Sequence, residues 1–262
     1  MGSERLGLLA TNARQSVILK PVHRVIALQI EEDRVLLSED ESHHLVRVLR
    51  VRPGDTFLAH DGKGSIFRCR LVRGPEGWQG DIVEKVESQT ESAFSICLAQ
   101  SLIKKDRFEW VIQKAVELGI DQIVPVISWR TEVRLDEGGL SHKMQRWQKI
   151  VAEAFKQSGR QVLPTLHMPV PLEAFLQNWS AELRFVLDEA EGTRLRSLLE
   201  EKRTARSCYF LVGPEGGWDE RDRQLFAAHG VTAVQLGKRV LRTETCPITV
   251  LSILQYELGD LG

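Results

Sequence analysis

The sequence predicts an α/β protein in two parts, a small β-barrel followed by a larger domain built around a mostly parallel sheet. Three observations carry this reading. Residues 22–88 hold five short β-type runs separated by turn signals. After Glu91-Ser92 the pattern changes to near-continuous apolar strands alternating with amphipathic helices. Near the C-terminus, two strand–glycine loop–helix units follow one another.

With 262 residues, 42% hydrophobic and 27% charged, the chain has room for one to two domains, each with its own core. The boundary is expected near residue 90, giving a leader over 1–20, a barrel over 21–90 and an α/β domain over 91–262. The barrel strands are Val22–Ile30, Arg34–Ser38, Thr56–His60, Ser65–Val72 and Gly80–Val86, broken at Arg52-Pro-Gly-Asp55, Asp61-Gly-Lys-Gly64 and Gly74-Pro-Glu-Gly77. One helix, Asp40–Arg50, interrupts them with an apolar stripe of Leu45, Val48 and Leu49. In the second domain Phe94–Ser101 reads as a strand, Arg107–Leu118 as a helix stopped by Gly119, and Ile120–Ser128 as a strand. A helix over His142–Gln157 stops at Gly159, and Arg184–Leu187 and Arg194–Glu201 form a further strand and helix.

The two terminal units are the most informative segment. Tyr209-Phe-Leu-Val212 runs into Gly213-Pro-Glu-Gly-Gly217, and a second apolar run leads into Leu236-Gly-Lys-Arg-Val-Leu-Arg-Thr-Glu-Thr245. Glycine lets backbone approach a ligand closely and turn sharply. Asp219 with Asp222 should cap a helix that stops before Gly230, and Pro247 suits the first turn of a helix running to Leu258. The segment matches neither a dinucleotide fingerprint nor a Walker loop, and the chain has no His-Glu-x-x-His and no Gly-x-Ser-x-Gly.

Cys69, Cys97, Cys208 and Cys246 are far apart and form no Cys-x-x-Cys pair, so core thiols are expected and no metal site. His43-His44 point in different directions on a helix, which disfavours metal binding. No apolar run approaches the ~18 residues a membrane span requires, and the N-terminus lacks a signal-peptide pattern. A cytoplasmic protein is expected. Net charge is −1, yet His43–Arg73 holds seven Lys/Arg against two acids. Such a local excess is compatible with nucleic acid, and also with an ordinary solvated face.

Several segments together resemble the small-subunit (16S) ribosomal RNA uridine-N3 methyltransferases, the RsmE-like branch of the SPOUT methyltransferases. They are Val48-Leu-Arg50 with Pro53-Gly-Asp55, Ile112-Gln-Lys114 with Glu117-Leu-Gly119, and Trp147-Gln-Lys-Ile150 with Gln157-Ser-Gly-Arg160. Gly213–Gly217, and Leu236–Thr245 with Leu254-Gln255, complete the set, which covers roughly residues 22–262 in the family's order. Cys246-Pro247 and the extra residues 1–20 depart from the family pattern.

This resemblance implies a PUA-like RNA-binding barrel, a SPOUT domain whose last segment forms a trefoil knot, and a homodimer. The implied cofactor is S-adenosylmethionine, held by Leu187, Gly213, Glu215, Gly216, Gly217, Leu236, Gly237, Val240, Leu241, Arg242 and Thr243. Val240 and Leu241 would offer backbone groups while their side chains pack inward. RNA contacts are expected from Arg24, Arg47, Arg50, Arg52, Arg68, Lys104, Arg107 and Arg160, and the partner from 16S RNA in an assembled or nearly assembled small subunit. Uridine N3 is a poor nucleophile until its proton leaves, so Arg242 is the candidate to stabilise charge on the uracil and Glu244 the candidate base. Two other readings stay open: methylation of another RNA position or of protein, and an RNA-binding accessory protein without catalysis.

Overall fold

The computed structural model describes residues 23–262 except residue 76 and residues 134–136. The expected leader over 1–20 therefore lies outside the described residues. The N-terminal sheet comprises β1 (Arg24–Ile26), β2 (Gln29–Ile30), β3 (Arg34–Leu36), β4 (Thr56–His60), β5 (Ile66–Gly74) and β6 (Gly77–Val86). Its order is β1-β4-β5-β6-β3-β2, antiparallel except for the parallel β1–β4 pair. The strand expected over Val22–Ile30 divides in two. Ala27 N–H extends the pairing to His60, and Leu28 N–H extends the pairing to Leu36. One continuous piece of chain thus serves both ends of the sheet and closes it into a barrel around Val25, Val35, Leu45, Phe57 and Leu71.

The barrel helix departs from the expectation. α1 (Glu39–His43), capped by Ser38, passes into a π-helical turn over His44–Val48, with Leu49 N–H donating to His44 C=O. The wider turn shifts the side chains that follow it, so Leu45 is fully buried while Val48 is 57% exposed. The expected stripe of Leu45, Val48 and Leu49 does not form as one face.

The second sheet is built from β7 (Ser95–Ser101), β8 (Gln122–Ile127), β9 (Thr165–Leu166), β10 (Val170–Pro171), β11 (Leu183–Leu187), β12 (Thr193–Arg194), β13 (Ser207–Val212) and β14 (Thr232–Gln235). Its order is β10-β8-β7-β13-β11-β14-β12, parallel throughout, with β9 also paired to β8. Helices α2 (Lys105–Glu117), α3 (Glu137–Ser158), α4 (Leu172–Asn178), α5 (Leu195–Glu201), α6 (Glu220–Ala228) and α7 (Thr245–Glu257) accompany the strands. Two apolar clusters cover the two faces: Ile96, Leu98, Phe210 and Leu251 belong to one, and Ala99, Tyr209, Leu211 and Phe226 to the other. That double burial is why β7 and β13 read as unbroken apolar runs.

The helix ends expected at Gly119, Gly159 and Gly230 hold, and Asp219 with Asp222 forms the full capping box of α6. α3 begins five residues earlier than the expected His142, and α4 was not anticipated, its seven residues being too few to display a helical period. Cys69, Cys97 and Cys208 are buried free thiols, and Cys246 is half-buried. Burial pushes the Cys69 and Cys97 thiols up to about 12, so they are inert at neutral pH.

A polar seam joins barrel and sheet. Arg160 follows α3 and is 4% exposed. Its guanidinium donates to Glu91 Oε2 at 2.6 and 3.1 Å, and also to the carbonyls of Val116 and Ile120. Glu91 also accepts from the N–H groups of Gln161 and Val162. The carbonyl of Arg160 meets His60 Nδ1 at 3.0 Å, and Lys156 reaches Glu41 of α1 at 2.7 Å. Burial works to raise the Glu91 pKa, but Arg160 and the two N–H groups prevail and hold it below the usual carboxylate range. Arg160, expected to contact RNA, is instead consumed by this seam, and its burial takes it off the list of RNA contacts.

A depressed carboxylate adds stability above its unfolded pKa and loses it as pH falls through the folded one. Glu91→Gln should therefore destabilise the protein by about 3 kcal/mol at neutral pH, because it leaves a buried guanidinium unpaired. Thermal melts should show the gap to wild type narrowing below the ordinary carboxylate range, ~pH 4. A gap independent of pH would remove the charge of Glu91 from the explanation.

Candidate cofactor and RNA site

Parallel strands β13, β11 and β14 lie side by side, so their loops all leave the sheet at one edge, where ligands bind in open α/β sheets. These loops enclose a cleft of about 540 Å³. The structure brings Leu187, Gly213, Glu215, Gly216, Gly217, Leu236, Gly237, Val240, Leu241, Arg242, Thr243 and Glu244 together in its lining. The two glycine loops are tied directly: the Thr243 hydroxyl donates to the Gly213 carbonyl, and Gln100 Nε2 approaches Thr243 Oγ1 at 3.4 Å. A third tie fixes the β11 loop, since Trp218 Nε1 donates to the Leu187 carbonyl at 2.8 Å.

The glycines are not equivalent. Gly217 and Gly237 have φ of 67° and 70°, where a side chain is strained. At Gly213 a Cβ would crowd the Trp218 ring at 3.1 Å, whereas at Gly216 it would meet only Arg130 at 3.7 Å. At Gly237 a Cβ would meet no protein atom within 4 Å. Among the described residues, the backbone N–H groups of Lys238 to Leu241 make no hydrogen bond, so they remain available to a ligand. Val240 corrects one expectation: its side chain is 78% exposed and does not pack inward.

Charge in the cleft is mixed. Asp188 is engaged by Arg223 at 2.7 Å. Arg107 lies between two carboxylates, 3.8 Å from Glu215 and 3.7 Å from Glu244. Among the described residues Lys238, Arg239 and Arg242 make no ion pair. The other oxygen of Glu244, Oε2, is buried without a hydrogen-bond partner. An orphaned carboxylate oxygen in a cleft wall is costly unless a ligand proton or donor reaches it.

The remaining residues expected to meet RNA are scattered. Arg47, Arg50 and Arg52 are exposed around the π-turn of the barrel, with Arg50 at φ 58°. Arg68 spends its guanidinium on Glu84 at 2.6 Å, Lys104 faces Glu132 at 3.3 Å, and the Arg24 guanidinium lies beside Gly159. Arg130, Asp188 and Arg223 line the cleft but were not anticipated. Arg130 and Asp188 follow the ends of β8 and β11, a position that marks ligand sites in parallel sheets. Among the described residues no cluster of metal-binding side chains occurs.

Residues 90–255 match the family model described as RNA methyltransferase domain, and residues 37–76 match an RNA methyltransferase PUA domain. The chain belongs to the ribosomal RNA small subunit methyltransferase E family. It is 31% identical over 261 residues to the protein of that name from Synechocystis sp., covering 94% of this chain and 84% of the relative. A methyltransferase structure from Legionella pneumophila, in complex with the bound cofactor SAM, is 32% identical with a TM-score of 0.85, over 92% of this chain and 99% of that one. The Neisseria gonorrhoeae ribosomal RNA small subunit methyltransferase E bound to S-adenosyl methionine is 32% identical with a TM-score of 0.83, covering 92% and 100%.

Gly237→Ala tests how closely a ligand approaches this cleft. The strain at positive φ should cost about 1 kcal/mol of stability. Calorimetry with S-adenosylmethionine should show affinity falling about 10-fold beyond that, since the added methyl meets no protein atom. Unchanged affinity would mean that the loop does not contact the cofactor.

Proposed function

We propose that this protein transfers the methyl group of S-adenosylmethionine to N3 of a uridine in small-subunit (16S) ribosomal RNA. The observation that carries the reading is the cleft between the two glycine loops, in a chain whose relatives share both its domains. We also assign the division into an RNA-binding barrel over 21–90 and a catalytic domain over 91–262. The trefoil knot, the homodimer, the assembled or nearly assembled subunit as substrate and a cytoplasmic location belong to the same proposal.

The lining suits this cofactor. Free backbone N–H groups at Lys238–Leu241 and strand-end carbonyls can satisfy adenine edges, and the carboxylates suit its ammonium and sulfonium charges. Bound there, S-adenosylmethionine supplies a methyl on a sulfonium whose leaving group is a neutral thioether. The chain's own residues then have three tasks. The loops position the two reactants, which is worth ~7–11 kcal/mol when orientation is good. Glu244 takes the N3 proton on its unpartnered oxygen. Arg242, with no carboxylate partner among the described residues, faces the negative charge that spreads over the uracil oxygens. Because N3 lies on the pairing edge, the base must be unpaired or turned out of its stack.

Arg242→Lys keeps the charge but loses the planar fork. Single-turnover methylation at saturating cofactor should slow by about 10²-fold, with cofactor affinity little changed. A near-normal rate would exclude Arg242 from the chemistry. Nucleoside mass spectrometry of 16S RNA from cells lacking the protein should show loss of one N3-methyluridine, and an unaltered nucleoside profile would reject the substrate assignment.

The exposed barrel arginines admit a separate test. Replacing Arg47, Arg50 and Arg52 together by Ala should weaken RNA binding and flatten its salt dependence, since phosphate contacts release counterions. Cofactor affinity should be spared. An unchanged salt slope would make this cluster a solvated face.

A further inference from the structure

Trp129 is 62% exposed and is the most exposed of the six tryptophans. It sits just past the end of β8, beside the cleft-lining Arg130. A large apolar ring held in solvent needs a reason. The ring is not loose: the Arg221 guanidinium lies over it at 3.4 Å from the centroid. Trp129 N–H donates to Asp222 Oδ1 at 3.3 Å, tethering the residue to the capping box of α6. The turn carrying it is closed by Ser128 and Thr131, with hydrogen bonds of 3.0 and 3.1 Å.

The same cluster is coupled to the first glycine loop. Arg130 Nη1 donates to the Gly216 carbonyl at 3.0 Å, and its Nε lies 3.5 Å from Asp219. Asp219 also holds Arg221 at 2.9 Å. One carboxylate thus fixes both arginines, and Asp222 brings the formal charge of the group to zero. Arg221 covers one face of the indole, and the residue as a whole stays 62% exposed.

We propose that Trp129, backed by Arg221, is a stacking platform for an unpaired RNA base next to the methylated nucleotide. This rests on the RNA-methylation reading above. Every base offers a π-face to a tryptophan, and proteins that grip single strands combine such rings with cations that follow the backbone. Here Arg221 polarises the ring from one face, which favours stacking of a base on the other. A base turned out for methylation leaves its neighbours unstacked, and a fixed ring at the cleft rim offsets that loss. Trp129 is a positioning residue, outside the methyl-transfer step.

The test uses small ribosomal subunits from cells lacking the protein, with labelled S-adenosylmethionine, and anisotropy of the same 16S RNA in parallel. Trp129→Ala should raise KM for RNA and the RNA Kd roughly 5- to 100-fold. kcat should change less than about two-fold, cofactor affinity should be unaltered, and Trp129→Phe should recover most of the loss because it restores a π-face. Unchanged RNA parameters in Trp129→Ala would overturn the platform. So would a loss of cofactor affinity, which would make Trp129 a brace for the glycine loop, or dissociation on gel filtration, which would make the ring a contact between two copies. Failure of wild type to methylate would reject the substrate reading by itself. The RNA-binding comparison between wild type and the two variants still decides the platform in that case.

Discussion

The site depends on one arrangement: β13, β11 and β14 run parallel and adjacent, and the loops that leave them are tied across the sheet edge by the Thr243 hydroxyl. Strand pairing alone brings two loops to the same edge but leaves each free to flex. The hydroxyl links Gly213 to Thr243, 30 residues apart, and Gln100 at the end of β7 approaches the same oxygen. Backbone that offers unpaired N–H groups to a ligand cannot stabilise itself by local hydrogen bonds, so it has to be held from elsewhere. That is the role of these side-chain ties. Trp218 does the same for β11 through the Leu187 carbonyl, while packing its ring on Phe226 of α6.

The barrel is held with comparable economy. Apolar contact between the two parts includes Ile26 of β1 against the core of the second domain and Phe155 meeting the His60 ring edge-on, but polar groups give the seam its geometry. Glu91, at the linker, gathers Arg160 and two backbone N–H groups, and Arg160 in turn satisfies the carbonyls at the end of α2. A buried ion pair of this type is weak as a source of net stability but demanding in geometry. It fixes where the barrel stands relative to the sheet rather than gluing the two together.

Much of this was legible in the sequence, for identifiable reasons. The longer strands of the second sheet showed themselves because burial on both faces forbids polar interruption, and the helix ends because glycine follows them. The two-residue strands β9, β10 and β12 are too short to show a pattern and were not expected. Most of the cleft lining was legible because it falls within two contiguous stretches, 212–218 and 234–246. What escaped depends on distance. Arg160 looked like an exposed helix-end cation, and only the fold brings Glu91, 69 residues away, to neutralise it. The π-turn at His44–Val48 inserts an extra residue that no 3.6-residue pattern reveals, so Val48 emerged where an apolar stripe was expected. Val240 is a branched apolar residue facing solvent, and a single exposed hydrophobic side chain leaves no pattern in the sequence. Arg130 is isolated in sequence and Asp188 follows the expected Leu187, and for both the strand-end position was the available signal.

The distribution of charge then explains how a chain with net charge −1 can serve a polyanion. Long-range attraction from so small a net charge is weak and screened within ~8 Å at physiological salt. Local pairing does the sorting instead. Three of the four cleft acids are engaged by arginines, Asp188 by Arg223 and both Glu215 and Glu244 by Arg107, while among the described residues Glu189, Lys238, Arg239 and Arg242 make no ion pair. The cleft therefore carries three cations without an ion pair among the described residues beside one such acid, Glu189, a local positive excess that the net charge of the chain conceals. Attraction for a polyanion in such a chain comes from local contacts of unpaired cations with phosphates, and the net charge of the whole chain contributes little to it.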